Sequence, residues 1–332
     1  MSTKFYFLLV SLGLLACGCR GDKPSNDPVI SQRYIHKYGY AVSKTEWETK
    51  KYPGQVITTL RNGVTVTANY ENGELHGSST NTYPHSQTIQ AYYVYNQGKV
   101  VKETLYDIKG MPLSERLQLS PTRYSLTLWY TDGTPLSIEE YAGDEILEAQ
   151  YFTTTNEIES RIEKGTGLRT RRDREGSLLS KDKIEAGYLV KRESFYPNGQ
   201  PDSIAYYRMN QLYGEQKNFA EDGEPLSISE WIDGKLNGKC TYFKNGAKFL
   251  EVSYLNNEKN GMETHFTPEG HISQETLWED NKKHGLSVYH IEGGDHSEWY
   301  YGGKVVSKDT FDKLNNIDSM ISEMAEDIQI YE

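Results

Sequence analysis

The chain has 332 residues, enough for two ordinary domains or one extended array of repeats. Its 36 Lys and Arg face 47 Asp and Glu, a formal charge of −11, which excludes a general nucleic-acid binder because that role needs a net basic face. Aromatic residues reach 12% with 26 Tyr and 29 Gly, a balance of flat rings and turn formers that excludes a disordered chain and favours strands over a helical bundle.

Met1-Ser2-Thr3-Lys4 gives a positive start, and the apolar run from Phe5 to Ala16 is too short to span a bilayer. It reads as an export signal. Leu14-Leu15-Ala16-Cys17 resembles the lipobox of bacterial lipoproteins, in which cleavage precedes a Cys that becomes acylated. On that resemblance residues 1–16 are the signal peptide and Cys17 carries the lipid, with Cys19 as the alternative and an ordinary cleaved signal as the plainer reading. Two acyl chains anchor stably, so the expected location is the bacterial cell envelope, at the outer membrane or the periplasmic face. Residues 17–54 are read as a polar tether and N-terminal cap. Cys240 is the remaining thiol, so no disulfide framework is expected and Cys240 reads as a small strand residue.

From about residue 55 two interleaved series keep one period. In the first, an aromatic is followed four positions later by Gly: Phe195 and Gly199, Phe219 and Gly223, Tyr242 and Gly246, Phe266 and Gly270, Tyr289 and Gly293, with steps of 24, 23, 24 and 23. In the second, an aromatic precedes a polar turn and a Gly seven positions on: Tyr207 and Gly214, Trp231 and Gly238, Tyr254 and Gly261, Trp278 and Gly285. Tyr106 with Gly110, Trp129 with Gly133, and Tyr70 with Gly77 extend the pattern upstream, and Arg172 to Gly176 stands in for an anchor where it is faintest, across 160–190. Asn-Gly and Asp-Gly dipeptides favour the positive φ of tight turns, and alternating runs such as Ser227-Ile228-Ser229-Glu230-Trp231 fit strands. Each unit is therefore a β-hairpin, with Gly199, Gly223, Gly246 and Gly270 at hairpin turns. A lone hairpin is marginal, so neighbouring units must support one another. The expected fold is all-β: about eleven repeats over 55–306 in an elongated, open antiparallel sheet, with rings on one face. Tyr207, Trp231, Tyr254 and Trp278 are the candidate binding-face residues.

The units beginning at Trp231 and Tyr254, with their Asp-Gly, Asn-Gly and Glu-Gly turns, resemble the variant MORN repeat of bacterial proteins termed YwqK-type antitoxins. The resemblance covers 190–306 and extends to 55–135. It implies an open sheet of hairpins that binds protein or membrane, and it carries no catalytic residue set. An antitoxin role would imply a neutralising partner. The export signal departs from a cytoplasmic antitoxin and fits an immunity-type or envelope-binding lipoprotein better.

His284, His290 and His296 fall six apart beside Asp295 and Glu298, but without a close ligand pair of metalloenzyme spacing, so no metal is expected. With no nucleophile elbow, phosphate loop or zinc-protease motif, no catalytic residue, cofactor or small-molecule substrate is expected. Residues 161–192 hold ten basic and five acidic residues, centred on Arg169, Arg171, Arg172 and Arg174. They could face anionic lipid or an acidic partner, or be solvated strand faces. From Asp309 the grammar changes: Phe311, Leu314, Ile317, Ile321, Met324 and Ile328 recur at helical spacing, so 307–332 reads as an amphipathic helix. It either caps the last strand or docks a partner. The sequence thus points to a non-enzymatic, lipid-anchored repeat protein that offers an aromatic β-surface to a macromolecule. A protein partner is expected; glycan binding and toxin neutralisation are the alternatives.

Overall fold

The computed structural model describes residues 28–329, with side chains of the closing helix as far as Ile321. The segment expected to be a signal peptide, with Cys17 and Cys19, lies outside the described residues. Among those described, the chain is all-β and antiparallel, with 25 strands and two helices. It divides into two compact units at Lys99/Val100.

The first unit contains β1 (Val29–His36), β2 (Ala41–Val42), α1 (Lys44–Lys50), β3 (Gly54–Leu60), β4 (Thr65–Glu71), β5 (Glu74–Thr82) and β6 (Ile89–Asn96). β3 to β6 form a meander, and β1 pairs with both β2 and β3. The segment expected to be a tether and cap thus contributes a full strand to the sheet. Ser43 caps α1 by accepting from the Glu46 N–H at 3.2 Å. The helix buries Trp47, which packs against Tyr34 and Tyr70 at ring separations of 5.6 and 6.0 Å.

The second unit runs through β7 (Lys99–Tyr106), β8 (Pro112–Gln118), β9 (Arg123–Trp129), β10 (Pro135–Ala142), β11 (Glu145–Phe152), β12 (Ile158–Glu163), β13 (Thr166–Arg172), β14 (Leu178–Glu185) and β15 (Tyr188–Phe195). It continues with β16 (Pro201–Arg208), β17 (Gln211–Phe219), β18 (Pro225–Ile232), β19 (Lys235–Lys244), β20 (Ala247–Leu255), β21 (Glu258–Phe266), β22 (Ile272–Glu279), β23 (Lys282–Ile291), β24 (Gly294–Tyr301) and β25 (Lys304–Val306), and ends in α2 (Lys308–Gln329). Within this unit each strand pairs with its neighbours in sequence, and among the described residues β25 pairs with β24 alone, which leaves an open edge.

Two kinds of turn alternate. Along one edge, two-residue turns such as Met209-Asn210, Asp233-Gly234, Asn256-Asn257 and Asp280-Asn281 hold both residues at positive φ. Consecutive turns on this edge bond to one another: the Asn257 N–H donates to the Leu236 carbonyl at 2.9 Å, and the Asn281 N–H to Lys259 at 3.0 Å. The Asn257 and Asn281 side chains return the favour, accepting from the Leu236 and Lys259 N–H groups at 2.8 Å each. Along the other edge, Asp or Asn opens most turns and accepts from the N–H two residues on, as Asp222 does from Glu224 at 3.0 Å. Gly199, Gly223 and Gly270 occupy the left-handed position of these turns at φ +83°, +88° and +86°, and Gly246 sits at +73° in a two-residue turn.

The second series of glycines does something different from turning the chain. Gly214, Gly238, Gly261 and Gly285 lie inside β17, β19, β21 and β23, at bulges where the register against the preceding strand shifts. At Gly238 φ is +113°, and a Cβ would meet Glu230 Oε2 at 2.0 Å and Glu230 Cβ at 3.0 Å. The residue opposite the bulge therefore lies directly over the glycine.

The best-defined core lies where the repeat pattern is faintest. Ile146, Ala149, Tyr151, Ile162, Ile184 and Leu189 form one buried cluster, with Tyr141 and Tyr207 packed against it. Arg172 faces Leu178 across its turn as Phe195 faces Pro201, so the stand-in anchor occupies an anchor's place.

Candidate functional site

Tyr207, Trp231, Tyr254 and Trp278 occupy equivalent places on β16, β18, β20 and β22, each at the bulge step. Two residues earlier stand Ala205, Ser229, Val252 and Thr276, all buried. They belong to a transverse row that continues through Cys240, Glu263 and Ser287. Strand alternation puts the rings on the same face as this row. The four rings are half-buried, and Trp231, Tyr254 and Trp278 each lie opposite the bulge glycine of the strand before, namely Gly214, Gly238 and Gly261. A ring beside a bare glycine covers the backbone that the missing side chain leaves open. The Trp231 and Trp278 Nε1 groups are buried without a hydrogen-bond partner, and Lys259 Nζ lies 4.6 Å from the Trp278 ring centroid. Neighbouring units are held by these ring-on-glycine pairs and the turn-to-turn hydrogen bonds. The stacked rings that do occur, such as Tyr124 on Tyr141 at 5.1 Å and 12°, lie outside this series.

The opposite face is the exposed one. Met262 pairs with Leu277 across β21 and β22, and Leu277 lies against Gly285 of β23, next to Leu286. These three apolar side chains are 42%, 38% and 38% exposed. Leu286 pairs with Trp299 of β24, onto which Phe311 of α2 packs at 5.0 Å. Phe311 also meets His284 at 5.3 Å, and Tyr301 donates to Asp318. The helix is seated by its first turns, while Ile317, Met320 and Ile321 stay exposed. Sequence reasoning found the helix and its stripe but missed the Met262–Leu277–Leu286 row. The signal available was Met262 and Leu286 after repeat glycines, where Lys239 stands elsewhere, and Leu277 before a repeat ring, where Glu230 and Ser253 stand.

Part of the basic stretch is tied into the sheet, while Arg161, Lys164, Lys181 and Lys183 are exposed. Asp182, fully buried on β14, accepts from Arg169 Nε at 3.0 Å and Nη2 at 2.8 Å, and from Arg192 Nε at 2.8 Å and Nη2 at 2.7 Å. Burial alone would push the Asp182 carboxyl up, but the Arg192 hydrogen bonds and the charges of Arg169 and Arg192 outweigh it and hold it below the usual range. Buried Glu139 accepts from Tyr151 at 2.7 Å and Tyr141 at 2.8 Å. Burial, then the Glu139 charge, push both phenols well up. Arg172 pairs with Glu159 at 2.7 Å. Arg174 reaches Asp107 at 3.7 Å and the Trp129 and Pro112 carbonyls. Arg169, Arg172, Arg174 and Arg192 thus tie strands together.

Elsewhere on the row, Glu263 accepts from Lys259 and, at 2.9 Å, from His265. Burial works to raise its pKa, but these two partners lower it on balance. Cys240 is a free thiol pushed up by burial. His284, His290 and His296 do not converge: they pair with Glu279, Asp295 and Glu298 respectively. Among the described residues no three His, Cys, Asp or Glu are grouped to hold a metal. In the first unit a shallow cleft of about 430 Å³ is lined by His36, Lys37, Gln55, Asn69, Glu71 and His76, beside stacked His36 and Tyr40.

Comparison with known proteins bears on the architecture. The family profile of the MORN repeat variant matches residues 190–209, the hairpin that joins Phe195, Gly199 and Tyr207. That match covers one hairpin, and together with the recurrence of that hairpin along the chain it supports repeat-protein character. No curated protein matches the chain. Among solved structures, the chain is similar to one in the crystal structure of TcdB2–TccC3–Cdc42, at 9% identity and a TM-score of 0.17. The match covers 81% of this chain and 22% of that one. It is also similar to a porin-like protein from Bacteroides uniformis, at 8% identity and a TM-score of 0.14, covering 80% of this chain and 92% of that one.

Proposed function

We propose that the protein is a non-enzymatic repeat scaffold of the bacterial cell envelope, lipid-anchored through Cys17 or alternatively Cys19, that docks another protein on the exposed face of its sheet. The observation that carries the docking reading is the apolar row Met262–Leu277–Leu286, exposed on three adjacent strands beside a helix whose Ile317, Met320 and Ile321 are also exposed. Exposed aliphatic side chains cost solvation on a monomer, and Met-bearing surfaces adapt to partners. The half-buried rings on the other face hold the repeats together, which leaves the outer face free for recognition. The lipobox-like start supports the anchor.

Affinity capture with the intact anchored protein, set beside the double variant Met262→Glu and Leu277→Glu, tests the docking surface. One protein should be retained by the wild type and lost with the variant at unchanged thermal stability. Retention of the same protein by both, or recovery of glycan alone, overturns the reading. Membrane partitioning that survives Cys17→Ser together with Cys19→Ser would overturn the anchor.

A further inference from the structure

Arg171 stands apart from the basic residues around it. It lies two positions from Arg169 on β13, on the same face as Arg169, Asp182 and Arg192, and it is half-buried. The charges that bear on it are Arg192 and Arg169, against Asp182 and Glu139. Three guanidiniums therefore face two carboxylates, which leaves the cluster one positive charge in excess. Arg169 and Arg192 take up the Asp182 oxygens, and Tyr141 and Tyr151 donate to Glu139. Among the described residues Arg171 itself makes no ion pair and no side-chain hydrogen bond. Burial pushes its guanidinium pKa down, and the neighbouring Arg192 and Arg169 push it further.

The residue directly across the strand pair from Arg171 is Ser180. Ser180 is 3% exposed, and its hydroxyl is buried without a hydrogen-bond partner. Directly opposed side chains on one face of an antiparallel pair have Cβ atoms about 5 Å apart, so this hydroxyl and the free guanidinium share one locus. A buried hydroxyl without a partner costs about 1–3 kcal/mol by general experience, and a half-buried cation without a counter-charge is unfavourable as well. One ligand relieves both.

We propose that Arg171 and Ser180 form a binding site for a small tetrahedral oxyanion, phosphate or sulfate or a monoester of either. The planar fork of Arg171 engages two oxygens of the anion. A third oxygen, out of that plane, accepts from the Ser180 hydroxyl, which a planar carboxylate spanned by the fork does not supply. The excess positive charge of the cluster favours an anion over a neutral ligand.

The test is the thermal midpoint of the intact chain, followed against inorganic phosphate, sulfate, glycerol phosphate and acetate, with ionic strength held constant by chloride. Phosphate or sulfate should raise the midpoint saturably. Acetate should bind about tenfold more weakly, and Ser180→Ala should weaken phosphate about tenfold, the worth of one hydrogen bond to a charged group. Arg171→Gln should abolish the response, while without phosphate its midpoint is no lower than that of the wild type, since it sheds a like charge. Should Arg171→Gln fail to fold, Arg171→Lys keeps the charge and must lose the preference for phosphate over acetate. A rise that never saturates, acetate binding as strong as phosphate, or an unchanged response in both Arg171 variants overturns the site. If glycerol phosphate binds as inorganic phosphate does, the pocket accepts an ester; if only the inorganic ions bind, it takes the free anion.

Discussion

Replacing Asp182 by Asn removes the charge on which two guanidiniums close. Asp182 is fully buried, and Arg169 and Arg192 are only 18% and 15% exposed at the side chain, so neither can turn out to water without leaving the sheet. An amide of the same shape offers one acceptor oxygen where the carboxylate accepted four N–H contacts, and it leaves Arg169, Arg171 and Arg192 facing Glu139 alone. Breaking a buried pair in this way costs about 3–5 kcal/mol, a factor of more than ~100 in the local opening constant. Hydrogen exchange read by peptide reports that opening directly. Amides of β13 to β15 should exchange faster by that factor, while those of β21 to β23 keep their protection, because a repeat sheet transmits stability only through neighbours. A change below about tenfold in β13 to β15 would refute the view that the ion cluster holds this segment. An equal change in β21 to β23 would refute the nearest-neighbour picture.

Gly238→Ala forces a side chain onto a backbone at φ +113° and into Glu230; it should cost about 1–3 kcal/mol, seen as a lower denaturation midpoint. Gly234→Ala, in open space at a turn, should cost less in the same assay. Asn257→Ala removes the acceptor for the Leu236 N–H, so about 1 kcal/mol should be lost and the Leu236 amide should exchange faster. Stability should also fall in acid. Asp182 and Glu263 both have folded pKa values below their ordinary ones, so the unfolded chain takes up protons first, and the stabilisation present above the ordinary carboxylate range is lost as pH falls through the depressed values. Denaturant midpoints between neutral pH and roughly pH 3 should show this, with a shallower fall in Glu263→Gln.

The period, the hairpins and the turn positions were legible because positive φ restricts residue type, and that restriction recurs at fixed spacing along the chain. Asp233-Gly234 and Asn256-Asn257 announce themselves in this way. The glycines seven positions after the rings were visible, but their role was not: Gly238 and Gly261 follow a turn and are bulges inside strands. Composition has no means of separating these cases, because both need left-handed backbone. The basic stretch was illegible for another reason. A run of Arg counts the same whether solvated or buried, and convergence on Asp182 depends on pairings 13 and 10 residues apart that exist only once register is set. The last helix showed its stripe, but which part of it is seated depended on Trp299 and His284, whose proximity no local pattern records.

The faint repeats and the strong core have one physical origin. β12 and β13 share only two paired positions, Ile162 with Gly167 and Glu163 with Thr166. Gly167 permits this close turn, since a Cβ there would lie 2.2 Å from the Arg161 carbonyl oxygen. Around this short pairing Glu139, Tyr141 and Tyr151 of β10 and β11 come close enough for their charges to bear on Arg169 of β13. Here full side chains and paired charge fill the sheet face, and Ile146, Ile162, Ile184, Asp182 and the arginines replace the ring-and-glycine pattern. Sequence divergence at 160–190 therefore goes with the change from ring-on-glycine packing to a buried core of aliphatic side chains and ion pairs.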